Sequence, residues 1–154
     1  MIQRIQTLFL LGVTIIAITL FFIPLSEKTI EGGQTFVLSV TGISNNSGSV
    51  QHTMELSNYA LILINVIIFA LAAYTIFLYK KRTLQISLCM LGGLLTTIEL
   101  ILIFYFSEDL GGSTEHAHYL PGVYLAALQI FCFVAARRFI RKDEKLVRAA
   151  DRIR

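Results

Sequence analysis

Glu99 is the one acidic or basic side chain well inside a long apolar stretch of this 154-residue chain. A charge left alone at mid-membrane costs ~2.5–3.5 kcal/mol even on insertion scales, so such a group faces a partner, a cavity or water. Three other polar side chains fall at a matching depth in the apolar runs: Asn65, Thr96 and Gln129. Thr96 is one helical turn before Glu99. Thr14 and Thr19 bracket the same depth near the N-terminus, but they are five apart and point to different helix faces, so at most one joins. Helical geometry therefore permits an intramembrane polar layer. Its chemistry has three readings: a structural hydrogen-bond network around a neutral Glu99, with Asn65 as its best partner; a proton or cation pathway; or contact with another membrane subunit.

The histidines are His52, His116 and His118. Glu115-His116-x-His118 carries metal-ligand types, since imidazole and carboxylate suit Zn or Cu. Residues two apart diverge on a helix, so both imidazoles reach one ion only from an extended segment. Loop histidines without a cysteine make a weak metal candidate, and solvated loop residues are the favoured reading. The chain has no phosphate loop, no nucleophile–base arrangement and no HExxH. The expectation is a protein without cofactor, metal or catalysis.

The elements that must position these residues are legible in the hydropathy. Hydrophobic residues make up 55% of the chain and charged residues 15%, against about 25% charged in soluble domains. Mean hydropathy is +0.70. Four apolar runs, about 5–23, 59–79, 84–106 and 120–136, each approach the ~20 residues needed to cross ~30 Å of hydrocarbon. The first is longer than a signal-peptide core and lacks a small-x-small cleavage site, so it reads as a retained anchor. The spacing predicts a single all-α membrane domain over 1–154, a four-transmembrane-helix bundle.

The bases orient it. Arg4, Lys80, Lys81, Arg82, Arg137, Arg138, Arg141, Lys142, Lys145, Arg148, Arg152 and Arg154 fall on one side, and Lys28 alone falls on the other. Bases in short loops stay cytoplasmic, which places both termini and the middle loop inside. The basic inner surface suits anionic lipid headgroups or an acidic partner. RNA meets the same charge requirement, but nothing points to a specific nucleic acid.

The first outer loop, 25–58, contains Phe36, Leu38 and Val40 in alternation, a turn signal at Asn45-Asn46-Ser47-Gly48, and Val50, His52 and Met54 in alternation again. This predicts a β-hairpin whose apolar face rests on the outer rim of the helices or on a partner. Ser57 or Asn58 is the expected N-cap of the second helix. Aromatics gather near both boundaries, as interfacial belts do. Cys89 and Cys132 lie in the spans, where small apolar packing is their expected role. Gly12, Gly92, Gly93, Gly122, Ala126 and Ala127 offer small faces for close helix approach.

From Ala135 to Arg154 there is no Gly or Pro, and Phe139, Ile140, Leu146, Val147, Ala150 and Ile153 recur at helical spacing. Glu144 and Arg148 form an i,i+4 pair. The fourth helix is therefore expected to continue into the cytoplasm as a basic tail, 137–154.

Both ends, Met1-Ile-Gln-Arg-Ile-Gln-Thr7 and Ile140-Arg-Lys-Asp-Glu-Lys-Leu-Val-Arg-Ala-Ala-Asp-Arg-Ile-Arg154, resemble a family of small four-span inner-membrane proteins of unknown function from Bacteroidota. The resemblance covers the full length and implies an inner-membrane location, but no activity. In outline the layout is also similar to claudin-type proteins, without their tryptophan and paired-cysteine signature. The combined expectation is a non-catalytic accessory or binding subunit, meeting a membrane-protein partner or a second copy. The rival is a small carrier or proton- or cation-conducting protein that uses Glu99.

Overall fold

The computed structural model describes residues 3–30, 34–45, 56–78, 81–110 and 116–151. Four helices dominate: α1 (Gln3–Thr19), α2 (Leu56–Phe77), α3 (Arg82–Asp109) and α4 (Pro121–Asp151). Among the described residues four short strands run between them: β1 (Ser26–Ile30), β2 (Gln34–Ser39), β3 (Gly42–Asn45) and β4 (His118–Tyr119). α1 packs against α2 and α4, and α3 packs against the same two helices.

Among the described residues, three helical stretches are long and apolar enough to cross a membrane: Tyr59–Phe77, Arg82–Asp109 and Pro121–Val147. The apolar part of α1, Ile5–Thr19, is shorter. The expected first span to residue 23 is thus cut back. Phe21 donates to the carbonyl of Ile18 and Phe22 to that of Thr19, the tighter i→i+3 pattern. Pro24 follows, and a proline disfavours helical backbone in the residue before it. α2 begins at Leu56, ahead of Ser57 and Asn58, so neither caps it. α3 is longer than expected at both ends.

The exterior is apolar and the interior partly polar. Leu8, Phe22, Leu63, Phe77, Ile101, Tyr105, Tyr124 and Phe131 are exposed. The buried residues of α3 are Gln85, Cys89, Gly92, Thr96, Glu99, Ile103 and Ser107, with a single large aliphatic among them. In water this distribution would leave a large apolar surface uncovered. It is the arrangement expected where lipid is the solvent.

The sheet between the helices differs from the expected hairpin. Its order is β3-β2-β1-β4, all antiparallel. The β2–β3 turn comes at Val40-Thr41, and Gly42 follows at φ 154°, a region that favours glycine. The expected turn begins at the last residue of β3, Asn45; its remainder, and the strand over Val50, His52 and Met54, lie outside the described residues. β1 is too polar to read as a strand, and β4 comes from the second outer loop. Ser26 pairs with Tyr119 and Glu27 with His118, so the sheet joins the α1–α2 connection to the α3–α4 connection. Its apolar face does rest on the helices: Leu38 and Val40 are buried with Leu20, Leu61, Ile103 and Val123.

Candidate functional site

Side-chain contacts fix the register of the helices. A Cβ added at Gly92 would sit 2.5 Å from the Phe133 ring, and Arg82 pairs with Asp143 at 3.3 Å. Carrying that antiparallel register along, Thr96 comes level with Gln129 and Glu99 with Ala126. Between α2 and α3, Leu71 approaches Gly92, and Gln85 donates from Nε2 to the carbonyl of Thr75 at 3.2 Å. Asn65 therefore falls level with the Thr96–Glu99 turn. Between α1 and α4, Phe9 stacks on Phe139 at 5.5 Å, and Gly12 lies beside the Cys132 sulfur. Ala17 is then level with Gln129.

The register thus puts Asn65, Thr96, Glu99 and Gln129 at one level of the molecule. That level divides the interior in two. The outer apolar cluster includes Ile16, Leu20, Leu61, Ile103 and Ala126. The inner cluster includes Leu10, Val13, Ile68, Ala72, Cys89 and Phe133. Asn65, Thr96, Glu99 and Gln129 lie between them and are each 0% exposed.

Their bonding departs from expectation. Asn65 donates from Nδ2 to the backbone carbonyl of Ala17 at 3.0 Å, so its amide ties α2 to α1 and is not a partner of Glu99. The Thr96 hydroxyl is shared between the carbonyls of Gly92 and Gly93 in its own helix. Thr14 and Thr19 likewise bond within α1 and do not enter the layer. Both carboxyl oxygens of Glu99, both amide atoms of Gln129 and Oδ1 of Asn65 are enclosed with no partner among the described residues.

The end of the molecule away from the sheet is built on α4. Ile140 belongs to the inner cluster, and Asp143 reaches Arg82. Beyond that point α4 continues in helix while its apolar side chains leave the core: Leu146 is 51% and Val147 40% exposed. Arg138, Arg141, Lys142 and Lys145 are exposed and Arg137 is half-buried. The side chain of Arg148, and residues Arg152 and Arg154, lie outside the described residues. Thr83, Ile86, Ser87, Arg141, Glu144 and Lys145 line a groove of about 500 Å³ where α4 passes the start of α3.

His116 and His118 are exposed in the α3–α4 connection, and His52 lies outside the described residues. Among the described residues no three His, Cys, Asp or Glu side chains gather as metal ligands.

One constellation was not anticipated. Lys28 reads in the sequence as an outer-loop charge, yet it is 1% exposed and donates from Nζ to the Glu108 carbonyl at 2.7 Å. It satisfies an orphan carbonyl in the last turn of α3, where the helix dipole favours a cation. Beside it the hydroxyls of Ser26 and Ser107 bond at 2.7 Å, and Tyr119 donates to the Glu108 carboxylate at 3.1 Å. Burial, and then the bond to Glu108 and its charge, push the Tyr119 phenol pKa up. The available signal was the period of two that puts Ser26 and Lys28 on one strand face.

A family model described as a domain of unknown function, DUF4293, matches residues 2–153. The chain belongs to this family. The polar layer, the outer sheet and the described part of the basic tail all fall within the matched DUF4293 region. No curated protein and no solved structure matches the chain.

Proposed function

We propose that the protein is a four-span integral protein of the bacterial inner membrane, with both termini cytoplasmic, acting as a non-catalytic accessory or binding subunit of a membrane complex. Three stretches meet the length and hydropathy of a span. The fourth span is α1, whose 17 residues extend about 26 Å. Its packing between α2 and α4 supports including it. The partition of bases supports the orientation, and Lys28 weakens it less than a free charge would, because it is held in the end of α3. The terminal motifs that resemble Bacteroidota inner-membrane proteins support the location.

The observation that carries the functional reading is the extension of α4. Its 31 residues span about 46 Å, and past Asp143 it presents exposed Leu146 and Val147 beside exposed Lys145. That surface is too thin in apolar area for firm lipid adsorption alone, which takes a broad apolar face with aromatic or leucine anchors. It suits an acidic membrane-protein partner or an acidic patch on a second copy, with anionic headgroups as the background ligand.

The test is a chain ended at Lys145, which keeps the Arg82–Asp143 pair. Native gels of gently solubilised membranes should show the full chain in a discrete larger species and the shortened chain outside it. Equal migration of both in that species would overturn the reading. The rival, a carrier using Glu99, draws on the unpaired layer. It predicts solute or proton flux in proteoliposomes that Glu99→Gln abolishes.

A further inference from the structure

We propose that the layer at Glu99 is a binding site for one small monovalent cation, a proton or a sodium ion. The argument starts from the balance of polar atoms. Four enclosed oxygens lack a partner among the described residues: Oε1 and Oε2 of Glu99, Oδ1 of Asn65 and Oε1 of Gln129. The one enclosed donor group without a partner in this layer is Nε2 of Gln129. Acceptors therefore outnumber donors, and the formal charge available is negative. An anion would meet almost no donors here, and a large solute is opposed by the apolar clusters above and below.

Two features make this more than a lone buried acid. The register brings the oxygens from three helices to one level. The bond from Asn65 Nδ2 to Ala17 fixes the planar amide and leaves its enclosed oxygen without a partner among the described residues. The Thr96 hydroxyl, having donated to the carbonyls of Gly92 and Gly93, keeps lone pairs for a ligand. A sodium ion is a hard cation that takes oxygen donors of these kinds, carboxylate, amide and hydroxyl. A proton serves the same purpose by making one Glu99 oxygen a donor. Either ion removes the cost of an unpaired carboxylate in a dry interior. The site does not depend on the accessory reading, since a cation can be held here whether or not the tail meets a partner.

The experiment follows the melting temperature of the purified full chain in detergent, because an ion that binds only the folded state raises its stability. One series replaces choline chloride with sodium chloride at fixed ionic strength and alkaline pH. A second runs from pH 5 to pH 9 in choline. A sodium site predicts a rise of about 2–6 °C in sodium for the native chain. A proton site predicts a melting temperature that falls as pH rises and the proton leaves the folded protein. Glu99→Gln should remove whichever response is seen. Coincident curves for the native chain and Glu99→Gln in both series would overturn the proposal, leaving the layer as a plain polar contact or a water pocket. If Glu99→Gln fails to fold, dicyclohexylcarbodiimide modification of the native chain decides. This reagent adds to a protonated carboxyl within an apolar phase. Modification at Glu99 slowed by sodium or by alkaline pH supports the site; no adduct, or a rate indifferent to both, contradicts it.

Discussion

The side-chain amide of Asn65 is bonded to the backbone of Ala17 at 3.0 Å and leaves Glu99, at the same level of the molecule, without it. The asparagine is thus a tie between α1 and α2, and the glutamate is free of any obligation to it. This decides what substitutions at position 99 should do. If Asn65 depended on Glu99, replacing Glu99 by leucine would orphan a buried amide. Because Asn65 has its own partner, Glu99→Leu in sodium-free neutral buffer should fold within about 1 kcal/mol of Glu99→Gln, since removing an unpaired buried polar group carries little penalty. Reversible unfolding in mixed micelles measures the difference. A leucine variant weaker than the glutamine variant by more than about 2 kcal/mol would show that Glu99 has a partner inside the helices.

Asn65→Leu should cost about 0.5–2 kcal/mol through loss of the interhelical bond, in the range measured for such bonds in membrane proteins. It should also loosen α1 selectively, which hydrogen exchange would register as faster exchange in Leu10–Ala17 than in α3. Uniform acceleration across all helices would mean the bond does not hold α1 in particular.

Gly92 sets the approach of α3 to α4. A methyl there would meet the Phe133 ring at 2.5 Å and Leu71 at 3.1 Å. Gly92→Ala should therefore destabilise by about 1–3 kcal/mol, the usual cost of overpacking. Phe133→Leu should recover part of that loss in the double variant. Gly122→Ala should be worse, because its methyl would meet the Pro24 carbonyl oxygen at 2.6 Å, and backbone yields less readily than a ring. Additive losses for Gly92→Ala and Phe133→Leu would contradict the packing argument.

Lys28 should behave unlike the other bases. Lys28→Met removes the cap on the end of α3 and should cost about 1–3 kcal/mol, as for a buried hydrogen bond to a charged group. Arg138→Met, at an exposed position, should stay within about 0.5 kcal/mol. Comparable effects at the two sites would mean that Lys28 is not held as described.

The orientation is open to labelling. With Cys89 and Cys132 replaced by alanine, Thr41→Cys and His116→Cys should react with an impermeant thiol reagent in intact cells, and Thr83→Cys should react only after permeabilisation. All three positions are exposed. The opposite pattern would invert the protein in the membrane.

Hydropathy made much of the helical layout legible in the sequence. The three long apolar helices, the continuation of α4 and the level of the polar layer follow from periodicity and from counting residues along antiparallel helices. Partners inside the layer did not follow, because an amide can bond to a backbone carbonyl as readily as to a side chain, and carbonyls carry no sequence signal. The outer sheet was half legible. Phe36, Leu38 and Val40 announced their buried face, but Ser26–Ile30 and His118–Tyr119 are polar segments recruited by backbone pairing. The burial of Lys28 carries no sequence signal either, because its partner is the end of a helix, not an acidic residue. The end of α1 depended on Pro24, whose effect reaches back through a tight turn rather than stopping the helix at its own position.

The proposed function rests on the exposed helical surface beyond Asp143, and a photo-crosslinking residue at Leu146 tests it most directly. In native membranes, irradiation should give one discrete adduct of higher mass, and the same residue at Ile101, on the apolar exterior, should give lipid adducts alone. Lipid adducts alone at Leu146 as well would contradict the account, because the tail would then lie on the membrane without a protein partner.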